Sequence, residues 1–197
     1  MKEIYRKKIF ELSPSGKVPA LIDNKLGITV VESLAILLHL ALRHPDSGLL
    51  PVGPVARSLC ISAATEMHAG FMALRNHCPM HTLAHCPKKG AAAFARADVQ
   101  EDVRRLQTLW EGLLTRFGTG KRDSFLFGER PTVADIMYAP VAIRFKAFDP
   151  SKKILTPKSQ DYIDALLNMD GVKEWIRDSA SLSPEFDVSS YENYVAE

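Results

Sequence analysis

The sequence predicts an α/β segment over residues 1–45, a linker at 46–53 and an all-helical domain over 54–197. Three observations predict it. Two short apolar runs, 18–23 and 26–31, lack helical period and flank a turn at Asn24-Lys25. The period changes to that of a helix at Glu32, and beyond the Pro- and Gly-rich residues 46–54 the apolar residues recur in steps of three and four.

Composition bounds the function. Hydrophobic residues make up 46% and charged residues 24% of the 197, ordinary globular values that leave disorder, collagen and coiled coil without support. Lys plus Arg number 25 against 23 Asp plus Glu, and the resulting +2 does not mark a nucleic-acid binder. The three cysteines, Cys60, Cys78 and Cys86, are an odd and small set, which argues against a disulfide framework and for a reducing compartment. The start lacks a secretory pattern, and the most apolar stretch, 26–42, contains Glu32, Ser33 and His39 and falls short of the roughly 20 residues of a membrane span. A soluble, cytoplasmic protein is expected, with neither nucleic acid nor membrane as partner.

In chain order, residues 3–12 read as a helix stopped by Ser13-Pro14-Ser15-Gly16. Two short strands joined by a tight turn follow. Leu34, Leu37, Leu38 and Ala41 mark a helix that ends at His44-Pro45 and is apolar on most of its circumference, as for one sandwiched between a sheet and something else. Leu59, Ala63, Met67, Phe71 and Leu74 form one helical stripe; Val99, Val103, Leu106, Trp110, Leu113 and Phe117 form another. A further helix opens at Thr132, with Asp135 placed to complete a short-chain capping box and Pro140 placed to bend it. Helices at about 157–167 and 172–177 precede a polar tail from Ser183.

Ser13-Pro-Ser-Gly-Lys-Val-Pro-Ala-Leu21, Glu32-Ser-Leu-Ala-Ile36 and Pro131-Thr-Val-Ala-Asp-Ile-Met-Tyr-Ala-Pro140, in this order and spacing, resemble the cytosolic glutathione transferases. Ala64-Thr-Glu-Met-His-Ala-Gly-Phe-Met-Ala-Leu-Arg75 is similar to the first long helix of the bacterial-type members. The resemblance implies a thioredoxin-like N-terminal half joined to the family's all-helical C-terminal domain. It also implies a strand, a helix and a second strand ahead of the segment matching Glu3, so the thioredoxin-like half is expected to be incomplete and one edge of the 18–23 strand unpaired. No residue here matches the serine, tyrosine or cysteine that activates the glutathione sulfur, so no catalytic residue is assigned.

The resemblance implies a glutathione site at Lys17, Val18, Pro19, Glu32 and Ser33. Val18-Pro19 matches the family's cis proline, beside which the Val18 backbone pairs with the cysteinyl part of glutathione as an added strand would. A plain proline at a strand start is the bland alternative. The Ser33 hydroxyl and amide would hold the γ-glutamyl carboxylate at a helix start, with Glu32 on the amino group. Simple capping of that helix is the alternative. Lys17 matches a position that reaches the glycyl carboxylate in some relatives, or is an exposed turn lysine.

For the second substrate, steps of three and four put Met67, Phe71 and Arg75 near one face, with His68 beside them. Core packing explains Met67 and Phe71 equally well, whereas Arg75 either snorkels or awaits an anion. The 146–156 loop is a further candidate to cover this cleft. His77, Cys78, His81, His85 and Cys86 could suggest zinc, but Pro79 spoils the helical spacing and no paired ligand motif is present, so no metal is expected. Gly118-Thr-Gly-Lys121 fails as a phosphate loop because its spacing is wrong and Arg122 follows.

The expected function is glutathione transfer to, or glutathione-dependent isomerisation of, a small electrophile, with a homodimer across the helix from Glu32 and the first long helix. The alternative is a non-catalytic dimerisation or protein-interaction module.

Overall fold

A computed structural model describes residues 2–181; the tail read from Ser183 lies outside them. Helix α1, Lys2–Leu12, ends where Ser13 N–H bonds Ile9 O at 2.7 Å. Gly16 follows at φ 64°, and a Cβ there would stand 2.3 Å from the Phe10 ring. Glycine takes this positive φ at no steric cost and lets the Phe10 ring lie against the backbone.

Strands β1, Ala20–Asp23, and β2, Ile28–Val31, form an antiparallel hairpin with Ala20 opposite Val31 and Asp23 opposite Ile28. The second strand begins later than the apolar run suggests, because Asp23 captures the turn. Its carboxylate accepts Lys25 N–H at 3.0 Å and Leu26 N–H at 3.1 Å, and its carbonyl accepts Gly27 N–H at 2.9 Å. His39 Nε2 donates to the other carboxylate oxygen at 3.1 Å and tethers helix α2, Ser33–Arg43, to the hairpin. That bond, aided by Leu26 N–H, holds the Asp23 carboxyl below its ordinary range.

Helix α2 is less enclosed than its apolar circumference suggests. Leu34, Leu37 and Leu38 pack on the main core, but Leu42 is 76% exposed.

The helical part comprises α3 (Pro54–Ala69), α4 (Met72–His77), α5 (Pro87–Phe94), α6 (Ala97–Phe117), α7 (Val133–Phe148), α8 (Pro157–Asn168) and α9 (Asp170–Ala180). The stripe from Leu59 to Leu74 is not one helix. Gly70 closes α3, its N–H reaching Glu66 O at 2.8 Å, and Phe71 then takes φ 58° before α4 starts. The stripe survives the break because Phe71 and Leu74 are buried beyond it. Helix α5 is not legible in the sequence as a separate element. Gly90 brings it against the end of α7 so closely that a Cβ would lie 1.7 Å from Phe148 O.

Helix α7 is the central element, packed by α3, α5, α8 and α2. Beside it Trp110 of α6 meets Tyr138 and Tyr162 edge-on, at 5.5 and 5.2 Å between ring centres. The expected capping box is present and goes further than the sequence suggests. Fully buried Asp135 accepts Thr132 N–H at 2.8 Å, Thr132 Oγ1–H at 2.7 Å, Leu126 N–H at 3.0 Å and the Tyr162 hydroxyl at 3.0 Å. Burial pushes its carboxyl up, and these four donors pull the other way. Among the described residues no helix is long and apolar enough to cross a membrane.

Candidate functional site

The hairpin register sets Ala20 opposite Val31, so the chain just before β1 and the chain just after β2 emerge side by side. This brings Pro19 and Ser33 onto one cleft. The Val18-Pro19 peptide is cis, and Val18 is 73% exposed. Glu32 stands at φ 70° and ψ 133°, a conformation that costs a non-glycine residue on the order of 1–3 kcal/mol and is found where the surroundings demand it. Its carbonyl accepts Ile36 N–H at 3.0 Å, but its side chain makes no capping bond. The Ser33 hydroxyl has no hydrogen-bond partner among the described residues. The α2 start therefore presents backbone donors, a hydroxyl and the positive end of a helix dipole, and no side chain among the described residues caps it.

The cleft, about 390 Å³, lies between this corner and the helical part. Of the residues singled out by sequence, Pro19, Ser33, Met67, His68 and Arg75 line it. Phe71 does not. It is 5% exposed and edges onto the Tyr138 ring at 6.4 Å between centres, because the break after Gly70 turns it inward. Lys17 and Glu32 are exposed and, with Val18, stand outside the cleft lining. Of the expected 146–156 loop, residues 146–148 belong to α7, and 149–156 does not line the cleft; it is fastened to α8 by Gln160 Nε2 on Lys152 O and Leu155 O at 3.0 and 2.9 Å.

Sequence reasoning missed Met80, Met137, Pro140, Arg144 and Trp175. Met137, Pro140 and Arg144 follow one another by three and four along α7, so an arginine on an apolar stripe was the available signal. Nothing local marked Trp175, which arrives from α9.

The buried Cys78 thiol is pushed up to about 12 by desolvation, against the opposing charge of Arg144. Tyr138 donates to Ala63 O at 3.1 Å, and burial raises its phenol well above the ordinary range. In the histidine and cysteine segment, Cys78 and Cys86 are buried and His81 Nδ1 accepts Leu83 N–H at 3.1 Å.

Two family models match the chain: the glutathione S-transferase N-terminal domain over residues 4–42 and its C-terminal domain over 91–178. The chain belongs to the glutathione S-transferase family. Its hairpin and α2 form part of the family's thioredoxin-like half, and the helical remainder is the family's C-terminal domain. Similar proteins include a probable maleylacetoacetate isomerase of Caenorhabditis elegans, 27% identical over 76% of this chain and 65% of that protein. A maleylacetoacetate isomerase of Rhizobium meliloti is 29% identical over 70% of this chain and 62% of that protein. The chain thus spans less than two thirds of the length of these curated relatives. Among solved structures, a sphingomonad glutathione S-transferase complexed with glutathione matches with TM-score 0.58 and 23% identity, over 88% of this chain and 79% of that one. A glutathione transferase homologue from Burkholderia with bound glutathione matches with TM-score 0.61 and 19% identity, over 87% and 77%. At these identities the structural matches establish the glutathione S-transferase fold.

Proposed function

We propose that this chain binds glutathione at the corner of Lys17, Val18, Pro19, Glu32 and Ser33 and holds a small electrophile in the adjoining cleft, for conjugation or glutathione-dependent isomerisation. The observation that carries the proposal is the uncapped start of α2, with the Ser33 hydroxyl, on the same cleft as Pro19. In this reading the Ser33 hydroxyl and amide hold the γ-glutamyl carboxylate, and the Glu32 carboxylate meets the amino group. The exposed Val18 backbone pairs with the cysteinyl unit, and Lys17 reaches the glycyl carboxylate. Glutathione supplies the sulfur nucleophile, and orientation beside the electrophile is what the cleft contributes. The relatives named as maleylacetoacetate isomerases support including isomerisation. Met67 and Arg75 serve the second substrate, whereas Phe71 supports them from the core.

The reading takes 1–45 as the glutathione-binding half and 54–197 as the helical half of a cytoplasmic homodimer. Leu42 of α2, Val52 ahead of α3 and Val55 within α3 are 76%, 90% and 54% exposed, an apolar set that a second copy would cover.

Calorimetric titration with glutathione tests the site. Replacing Ser33 by alanine is expected to weaken binding by roughly 1–3 kcal/mol, because the ligand carboxylate loses a donor. Equal affinity in Ser33→Ala, or no binding by the unaltered chain, would overturn the proposal.

A further inference from the structure

We infer that Asp23 and His39 are positioning residues for the proposed glutathione site: they hold the start of α2 at the angle to the Val18-Pro19 segment at which one ligand reaches both. They touch no ligand themselves, and their role rests on the reading of Ser33 and Val18 as the glutathione clamp.

The two halves of that clamp meet without a bond between them. Ser33 and Pro19 face one cleft, yet the Ser33 hydroxyl has no partner among the described residues and the Glu32 side chain makes no capping bond. The chain turns between them at Glu32, whose φ of 70° is one that a non-glycine residue holds only where its surroundings impose it. From this corner α2 and β1 run off side by side. His39 lies about 9 Å along the helix from Ser33 at 1.5 Å per residue, and Asp23 about 10 Å along the strand from Ala20 at 3.3 Å per residue. There the two elements are joined, His39 Nε2 donating to Asp23 Oδ2 at 3.1 Å.

This bond is sheltered, with the His39 and Asp23 side chains 16% and 14% exposed. The other Asp23 oxygen accepts Lys25 N–H and Leu26 N–H, so the carboxylate is fixed to its own turn as it reaches α2. Arg43 Nε stands 3.7 Å from the oxygen that His39 uses, on a side chain 40% exposed, and adds little. Among the described residues no other hydrogen bond or ion pair between side chains links α2 to the hairpin. Elsewhere α2 meets the strands by packing, and apolar burial is non-directional. A ligand that bridges the corner binds tighter when both halves are already aligned, because ordering them on binding subtracts from its affinity.

His39→Leu removes the donor and leaves an apolar helix former suited to α2, and His39→Ala removes it a second way. His39→Gln keeps an amide N–H where the imidazole Nε2 stands. Calorimetric titration with glutathione should show about three- to tenfold weaker binding in His39→Leu and His39→Ala, the factor to which the net worth of one hydrogen bond corresponds, and little change in His39→Gln. Added to Ser33→Ala, His39→Leu should weaken binding by less than about twofold more, because the hydroxyl it aims is gone. Hydrogen exchange of the unliganded protein reads the same alignment without glutathione. In His39→Leu the amides of β1, β2 and α2 from Ile36 onward should exchange faster and those of α6 and α7 should not, with His39→Gln restoring protection.

Unchanged affinity in His39→Leu overturns the positioning role and leaves the glutathione site standing. A loss that His39→Gln does not restore, or that adds in full to Ser33→Ala, does the same. If the unaltered chain binds no glutathione, the glutathione site falls, and faster exchange confined to the hairpin and α2 still supports Asp23 and His39 as what aligns this corner. Unchanged exchange overturns that role whether or not glutathione binds.

Discussion

Replacing Asp135 by alanine would remove a carboxylate on which four donors converge inside the core. A helix cap alone is worth about 1 kcal/mol. Here Leu126 N–H, Thr132 N–H and the Tyr162 hydroxyl all lose their acceptor in surroundings that water does not reach, at about 1–3 kcal/mol each. The three together span about 3–9 kcal/mol, and partial relaxation around the vacated site places the expected loss in the lower part of that range, at about 3–5 kcal/mol, a large part of the roughly 5–15 kcal/mol of a typical domain. At a urea slope of about 2 kcal/mol/M the unfolding midpoint should fall by about 1.5–2.5 M. A double-mutant cycle isolates the cause. Tyr162→Phe alone should cost about 1 kcal/mol, and added to Asp135→Ala it should cost less than that, because the hydroxyl it removes is already unsatisfied. A fall of about 1 kcal/mol in Asp135→Ala, with strict additivity in the double variant, would refute the convergent network and leave an ordinary cap. Ile136, Met137 and Pro140 of the cleft wall sit on the helix this carboxylate starts, so the same variant should also weaken binding of a glutathione conjugate whose S-substituent occupies the cleft.

Three further outcomes follow from the packing. Gly90→Ala should destabilise by about 1–3 kcal/mol despite the roughly 1 kcal/mol of helix propensity it gains, because its Cβ meets backbone rather than a movable side chain; a raised midpoint would refute the close α5–α7 approach. The Asp23 carboxyl is held below its ordinary 3.8 by His39 and by turn N–H groups, so its contribution is complete above that value and is lost as pH falls through and below it. Midpoints of the unaltered protein and Asp23→Asn should therefore differ at about pH 7 and converge near pH 3, and a difference that does not change with pH would count against the tether. Cys60, Cys78 and Cys86 are buried, and desolvation raises the thiols of Cys60 and Cys78, so Ellman's reagent should label none of the three quickly before denaturation and all of them after it; fast labelling of the native protein would place a thiolate at the surface.

Where the chemistry is local, sequence sufficed. The hairpin, the helix opened by Ser33, the capping pair Thr132 and Asp135 and the two long apolar stripes follow from period, turn residues and caps, which act over three or four positions. Motif order likewise carried the family. What sequence left open were Met67 and Phe71, each readable as core or as cleft. The structure parts them because Gly70 ends α3 and Phe71 turns at φ 58° into contact with Tyr138, while Met67 stays on the cleft wall. Arg144 carried no signal of its own in the sequence, and its place in the wall came from Cys78, just past α4, whose carbonyl its Nε reaches across more than sixty positions of chain. Trp175 needed α9 to fold back against α7. Asp135 showed its cap in the sequence and hid two of its donors, Leu126 and Tyr162, which only packing supplies. Local interactions determined most of the elements, though not the α3–α4 break or α5, and they determined the helix start that suits an anion. The cleft and its charge were decided by tertiary structure, because long-range packing brings side chains together that no spacing relates.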